Sequence, residues 1–484
     1  MALALNFLPI LPEIVILTAA SLILLIDLWL PDDKRHISYW LTQLALLIAA
    51  CVTLRGLHID SVLAFHSVVV ADMVADVLRM LSFLALSLVL FYSRTYLTLR
   101  GLFRGETFVL MLFALLGMQV LITANNFLTL YLGLELMSLA LYALVALQRD
   151  EAAPAEAAMK YFVLGALASG ILLYGMSMIY GATGTLQIDL VAQSLATGEA
   201  NHALLIFGLV FVVSAIAFKL GAVPYHMWVP DVYQGAPTAI TLLIGTVPEY
   251  AAFAMLLRLL AGALGSPETM MQWQGMLAIL ALLSVTLGHV VAIAQTNLKR
   301  MLAYSTIANM GYVLMGFLGG DVNGYTAAMF YILAYVMTSL VSFGMILLLS
   351  RAGFEADRID DLKGLNRRSP WWAFVMLLAM FSLAGLPPTI GFYGKFMVLQ
   401  SAIKAGYLWL AVVGVLAALV GAFYYLRIVK LMYFDDPVDT SPIMVRADTR
   451  WLLSGNGLVL LLFGILPQLP MGLCYVALVQ SRYF

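Results

Sequence analysis

The 484 residues of the chain fall into apolar runs of about 20 residues that follow one another almost without pause. That spacing admits few folds. A run of this length crosses a bilayer as a helix, because backbone polar groups in lipid must be satisfied within the segment. The runs begin near Leu5, Ile37, Met73, Thr107, Phe127, Ala158, Ala203, Thr238, Met271, Lys299, Tyr325, Trp371, Leu408 and Trp451. They predict an all-α polytopic membrane protein of about fourteen transmembrane helices. Hydrophobic residues make up 63% and charged residues 11% of the chain, against about 25% charged in soluble domains. The longest polar connections, 351–370 and 433–450, are loop-sized. The first run, Leu5 to Leu30, has no basic segment before it and no small-residue cleavage site after it, so it reads as a retained helix.

The basic residues order these helices across the membrane. Loops after odd-numbered helices hold most of the 25 lysines and arginines, from Lys34 and Arg35 through Lys299 and Arg300 to Arg446 and Arg450. The opposite loops hold only Arg55, Lys404 and Arg482. The positive-inside rule then places both termini outside, in the periplasm, and the basic loops in the cytoplasm.

Two stretches interrupt the helical pattern. In FKLGAVPYHMWVPDVYQGAP, Lys219 lies at membrane depth, just before Gly221 and Pro224. A lysine there costs roughly 3 kcal/mol on insertion scales and marks an ion or proton path more often than packing. The bland alternative is a proline-kinked helix with a snorkelling lysine. The second break, GLPPTIGFYGK, carries Gly385, Pro387, Pro388 and Gly391, with Lys395 just beyond it. The two broken helices run in opposite directions, as in the inverted repeats of transporter folds. This divides the chain into N-terminal helices 1–106, a first repeat 107–262, a second repeat 271–433 and a C-terminal helix 451–484.

The remaining intramembrane charges extend the pattern. Glu135 lies deep in an apolar helix and is the natural partner of Lys219; the packing alternative is a hydrogen bond to a neighbouring helix. Separating the two charges from about 6 to about 10 Å at an effective dielectric of ~20 changes their attraction by roughly 1 kcal/mol, so modest helix motion loads or releases a proton. Lys160 follows Glu156 by one turn, as an interfacial ion pair or an accessory to the relay. Arg258 reads as a snorkelling anchor, and Arg79 as a structural ion pair with Asp76 or Asp72.

Other chemistry is poorly supported. Cys51 and Cys474 cannot build an iron–sulfur site, and the membrane-depth histidines, His226 and His289, do not form the facing pairs of a b-type haem. No phosphate-binding loop occurs. With 25 basic against 26 acidic residues, the charge balance does not point to nucleic acid.

The segments around Glu135 (YLGLELMSLALYALVAL), Lys160 (EAAMKYFVLGALASG), Lys219 and Lys395, together with AQTNLKRMLAYSTIANMGY, resemble subunit N of bacterial NADH–quinone oxidoreductase (respiratory complex I), an antiporter-like family. The resemblance is dense from helix 4 through helix 13. It implies a proton-translocating subunit of the bacterial inner membrane that binds no cofactor itself and sits beside other membrane-arm subunits, including antiporter-like homologues, within membrane lipid. FMN, iron–sulfur clusters and quinone then belong to partner subunits. By position, Glu135 would modulate Lys219, Lys395 would lie on the exit side, and Lys160 would be accessory. The chain departs from the family pattern at two places: Glu249 in TVPEY, where a lysine is usual, and Asn309 in STIANMGY, where histidine is frequent. A glutamate there is neutral when loaded and negative when empty, the reverse of lysine. The alternatives are a subunit of a multi-subunit sodium/proton antiporter, and a structural spacer with a disabled channel.

Overall fold

The computed structural model describes residues 6–198 and 200–482. The expected start of the first helix at Leu5 falls outside them. The described residues are almost entirely helical; the one sheet among them is a short antiparallel hairpin, Val62–Ala64 with Val69–Ala71.

The first half comprises α1 (Leu11–Asp27), α2 (His36–Arg55), α3 (Met73–Leu99), α4 (Gly105–Ile122), α5 (Phe127–Val145), α6 (Ala152–Thr183), a short α7 (Ile188–Thr197), α8 (His202–Lys219), α9 (Trp228–Gly235), α10 (Thr238–Ile244) and α11 (Pro248–Leu256). The second comprises α12 (Pro267–Ile293), α13 (Leu298–Phe317), α14 (Val322–Leu349), α15 (Leu365–Arg368), α16 (Pro370–Ala384), α17 (Ile390–Lys404), α18 (Leu408–Phe434), α19 (Ala447–Ile465) and α20 (Gln468–Val479). Polar caps begin many of them. Asp72, Asn126, Asn201, Ser266, Asn297 and Asp321 each accept a backbone N–H of the first turn, satisfying donors that lipid cannot.

Among the described residues, eleven helices are long and apolar enough to cross a membrane, and twelve if α19 and α20 form one span. The expected fourteen are not reached by that measure, for two physical reasons. Helix α13 has the length but carries Lys299, Arg300, Tyr304, Ser305, Thr306 and Asn309. The run from Trp371 is cut at Gly385 into the shorter α16 and α17. A third break was not expected: α19 and α20, read as one helix from Trp451, meet at 80°.

The helices are arranged from the middle outward. In the apolar stretch of Thr238–Ala263 94% of the residues are buried and in that of Val322–Leu349 89%, whereas in α6 and α18 only 39% are, and both turn long apolar faces outward. Glycines allow the closest approaches: a Cβ on Gly117 of α4 would lie 2.7 Å from the Gly133 carbonyl of α5. This is the small-residue packing of membrane helices. Neighbours recur between the halves. Helix α4 packs on α5 and α6 on α8; correspondingly, α12 packs on α13 and α14 on both α16 and α17.

The loops sort onto two faces. On one, Arg100 pairs with Glu355 at 2.6 Å, Arg94 with Asp448 at 3.7 Å and Arg368 with Asp439 at 3.1 Å. On the other, Arg482 pairs with Asp189 at 3.0 Å and His202 with Glu268 at 3.4 Å.

Two charges behave differently from their sequence readings. Arg258 does not snorkel. It is 1% exposed and donates to both carboxylate oxygens of Asp72 at 2.8 and 2.9 Å, in a π-helical segment (Leu257–Ala263) that continues α11. Lys299, expected in a basic loop, is 4% exposed. Arg79 is a structural ion pair as expected, with Asp76 at 3.2 Å, and it has a second partner in Glu13.

Candidate functional site

Lys219 is the last residue of α8, and the chain turns away immediately through Gly221 at φ +64°. Only glycine adopts that conformation without strain. The lysine Nζ donates to Ser138 Oγ on α5 at 2.7 Å, and Ser138 donates onward to the Leu134 carbonyl at 2.6 Å. Glu135, three residues before Ser138, is within electrostatic reach of Lys219. No ion pair joins them among the described residues; the lysine is held instead by a serine that carried no signal in the sequence. One oxygen of Glu135, Oε1, is buried without a partner.

Beyond Lys219 lies a cavity of about 30 Å³, lined by Lys219, Glu249, Tyr161, Trp228, Phe218 and Met137 among others. That volume holds one or two waters. Glu249, in the first turn of α11 behind Pro248, is 6% exposed, and its Oε2 has no partner. The side chain is within electrostatic reach of Tyr161, Tyr233 and Tyr335.

From there hydroxyls and amides continue across α13. Tyr335 and Thr306 share a hydrogen bond of 2.7 Å, and Tyr233 is within electrostatic reach of Tyr335. Asn309 donates to the Ser305 carbonyl at 2.7 Å and accepts from Tyr331 at 2.6 Å. Ser305 in turn bonds Tyr425, whose ring lies 4.2 Å from that of Tyr424. Tyr424 meets His289 Nδ1 at 2.9 Å. His289 is buried, within electrostatic reach of Lys395, and its Nε2 has no partner.

Lys395 closes the line. It follows the second break in sequence, yet in space its Nζ reaches back to the carbonyls that end α16, Leu383 at 2.8 Å and Ala384 at 3.1 Å. These are among the acceptors that a helix end leaves unsatisfied. The ammonium also lies 5.0 Å from the centre of the Tyr312 ring. Gly385, at φ +79°, makes room for it, since a Cβ there would sit 2.7 Å from Lys395 Cδ. Both lysines therefore occupy helix breaks, although one precedes its break in the chain and the other follows.

Lys160 stands apart. It is about two-fifths exposed and pairs with Glu156 at 2.8 Å and Asp231 at 2.7 Å, while Arg300 binds the other oxygen of Asp231 at 2.8 Å. This interfacial ion cluster lies on the basic-loop face. Among the described residues, no group of three or more His, Cys, Asp or Glu side chains is placed to hold a metal.

The family described as NADH:quinone oxidoreductase/Mrp antiporter, TM, matches residues 124–421, which span both breaks. NADH-quinone oxidoreductase subunit N of Thiobacillus denitrificans is 59% identical over 98% of both chains. The chain belongs to the subunit N family of NADH-quinone oxidoreductase. A second member, from Nitrosomonas europaea, is 54% identical over 98% of each chain. Among solved structures, a chain of respiratory complex I from Thermus thermophilus with bound aureothin superposes with a TM-score of 0.81 at 31% identity, over 96% of this chain and 99% of that one. A chain of the Mrp complex from Dietzia sp. reaches a TM-score of 0.84 at 21% identity, over 98% and 96% of the two chains, a likeness of fold alone.

Family membership leaves Ser138, Tyr335, Tyr425 and His289 as residues that sequence reasoning did not place in the line. Tyrosines and a histidine on apolar helix faces read as core.

Proposed function

We propose that the chain is a proton-translocating subunit of the membrane arm of an NADH:quinone oxidoreductase. It lies in the bacterial inner membrane with both termini periplasmic, beside antiporter-like homologues. Electron transfer from NADH through FMN and iron–sulfur clusters to quinone takes place in partner subunits, and this chain couples to it as a translocase without binding a cofactor. The observation that carries the reading is the line of buried polar side chains from Glu135 and Lys219 through Glu249 to Lys395, anchored at two broken helices.

In this reading Lys219 holds a proton against Ser138 and the nearby charge of Glu135. Water in the cavity hands it to Glu249, whose empty, negative state favours a charged Lys219 and whose loaded, neutral state does not. Thr306, Tyr335, Ser305, Asn309, Tyr425 and Tyr424 carry hydrogen bonds onward to His289 and Lys395. Asn309 takes part by orienting hydroxyls, since an amide does not titrate near neutrality. Lys160 organises the ion cluster on the cytoplasmic face.

The identity to subunit N relatives favours this reading over a sodium/proton antiporter subunit. Lys219→Ala and Glu135→Ala in membrane vesicles separate it from a structural spacer. Proton pumping is expected to fall in both, while NADH oxidation by an artificial acceptor is retained. Unchanged pumping in both establishes the spacer.

A further inference from the structure

Lys299 has no part in the line just described, yet its position is unusual. It occupies the first turn of α13, is 4% exposed, and donates to the Ala236 carbonyl at 3.0 Å, at the end of α9. On the basic-loop side of it lie two open pockets of about 350 and 480 Å³ that share Gln234 and Asp357. Asp231, Glu156, Lys160 and Arg300 line the first; Arg358, Asp360 and Arg427 line the second. Lys299 is within electrostatic reach of Asp357, Glu355 and Arg100, and Arg300 follows it on the same helix. Asp357 is fixed at the pocket floor by Asn297 Nδ2 at 2.7 Å, and its carbonyl accepts the N–H of Leu298.

On its other side Lys299 faces the buried hydroxyls. Thr306 is seven residues further along α13, two turns or about 10 Å on the same helix face. Tyr233, three residues before the Ala236 carbonyl that Lys299 holds, is 1% exposed on α9, which packs against α13, and is within electrostatic reach of Tyr335. Thr306 bonds Tyr335, and both tyrosines are within electrostatic reach of Glu249. A lysine thus stands between open pockets lined by carboxylates and cations and a hydroxyl cluster near Glu249, whose Oε2 has no partner. The α9–α13 seam joins them.

We infer that Lys299 is a proton-loading residue for Glu249, taking protons from water in the Asp357 pocket and passing them along Tyr233, Thr306 and Tyr335. The inference rests on the proton-translocating reading. It gives Glu249 a supply that bypasses Lys219: an ammonium proton moves to the hydroxyl line, a hydroxyl proton moves to the Glu249 carboxylate, and the neutral amine is reprotonated from the pocket. A merely structural Lys299 would instead cap the Ala236 carbonyl, for which only a donor is required.

The test uses the whole complex in sealed vesicles, with proton uptake measured per NADH oxidised and assembly checked by NADH oxidation with an artificial acceptor. Lys299→Arg keeps the charge and the donor but holds its proton; Lys299→Gln keeps a donor alone. Both are expected to lower uptake on the order of tenfold or more. Wild-type uptake in either assembled variant overturns the inference. If neither assembles, Asp357→Asn on the pocket floor decides, with slowed uptake supporting the route and unchanged uptake overturning it. Lys219→Ala runs in parallel: if it too pumps normally, the translocating reading fails, and not this route alone.

Discussion

Gly385→Ala probes the seat of Lys395 without removing any titratable group. At φ +79° an alanine is held in the left-handed region, which costs roughly 1–2 kcal/mol. Its Cβ would also stand 2.7 Å from Lys395 Cδ, so the lysine stem must swing away. The displaced ammonium then loses its bonds to the Leu383 and Ala384 carbonyls, each worth about 1.5–3 kcal/mol for a charged donor. Even partial loss brings the total to about 3 kcal/mol, a factor on the order of 100 in the occupancy of the native geometry. Proton pumping by the assembled complex in vesicles is expected to drop at least tenfold, with a lower thermal midpoint. Gly455→Ala is the control, because that glycine is exposed in the middle of α19 with open space where its Cβ would lie. It should be neutral or stabilising by up to ~1 kcal/mol. Wild-type pumping and stability in Gly385→Ala would refute both the strain and the seating argument.

Two further outcomes follow from the geometry. Glu249→Gln, which cannot exchange a proton, should slow turnover, whereas Glu249→Lys should be tolerated; wild-type pumping in Glu249→Gln removes position 249 from the path. In the loop 435–446, the Ser441 hydroxyl and then its backbone N–H, with Arg368 and Arg351, hold Asp439 down to about 2. Because the folded value is depressed, the stabilisation is complete above the ordinary carboxylate range and is lost as pH falls toward about 2. Limited proteolysis of this loop should therefore be flat from pH 7 to about 5 and faster in Asp439→Asn throughout that range; equal cleavage of mutant and wild type there contradicts it.

Much of the fold was legible because lipid leaves a helix few choices. Apolar runs marked the spans, glycine and proline marked two of the breaks, and the lone charges Glu135, Lys219, Glu249 and Lys395 marked the interior line. What escaped depended on partners distant in sequence. Arg258 lies 186 residues from Asp72, so nothing local distinguished a buried ion pair from a snorkelling end. Lys299 sits beside Arg300 at a helix start, a pattern typical of loops, and only the fold of α9 over it makes it buried. Ser138, Tyr335 and Tyr425 are hydroxyls on otherwise apolar faces, and their direction is set by neighbours that sequence spacing does not name. The third break was hidden because Leu466–Pro467 interrupts an otherwise continuous apolar run.

The serine that holds Lys219 bears on kinetics. Breaking a buried ion pair costs about 3–5 kcal/mol, whereas a hydrogen bond from a charged group to a neutral hydroxyl is worth about 1.5–3. A difference of about 2 kcal/mol lengthens a residence time roughly thirtyfold. By engaging Ser138 while Glu135 stays at a distance, Lys219 occupies a shallow well, steered by the carboxylate without being trapped by it. On the proposed proton path such a latch would release quickly enough to be reset every turnover, and a direct lysine–glutamate contact would make that step slow.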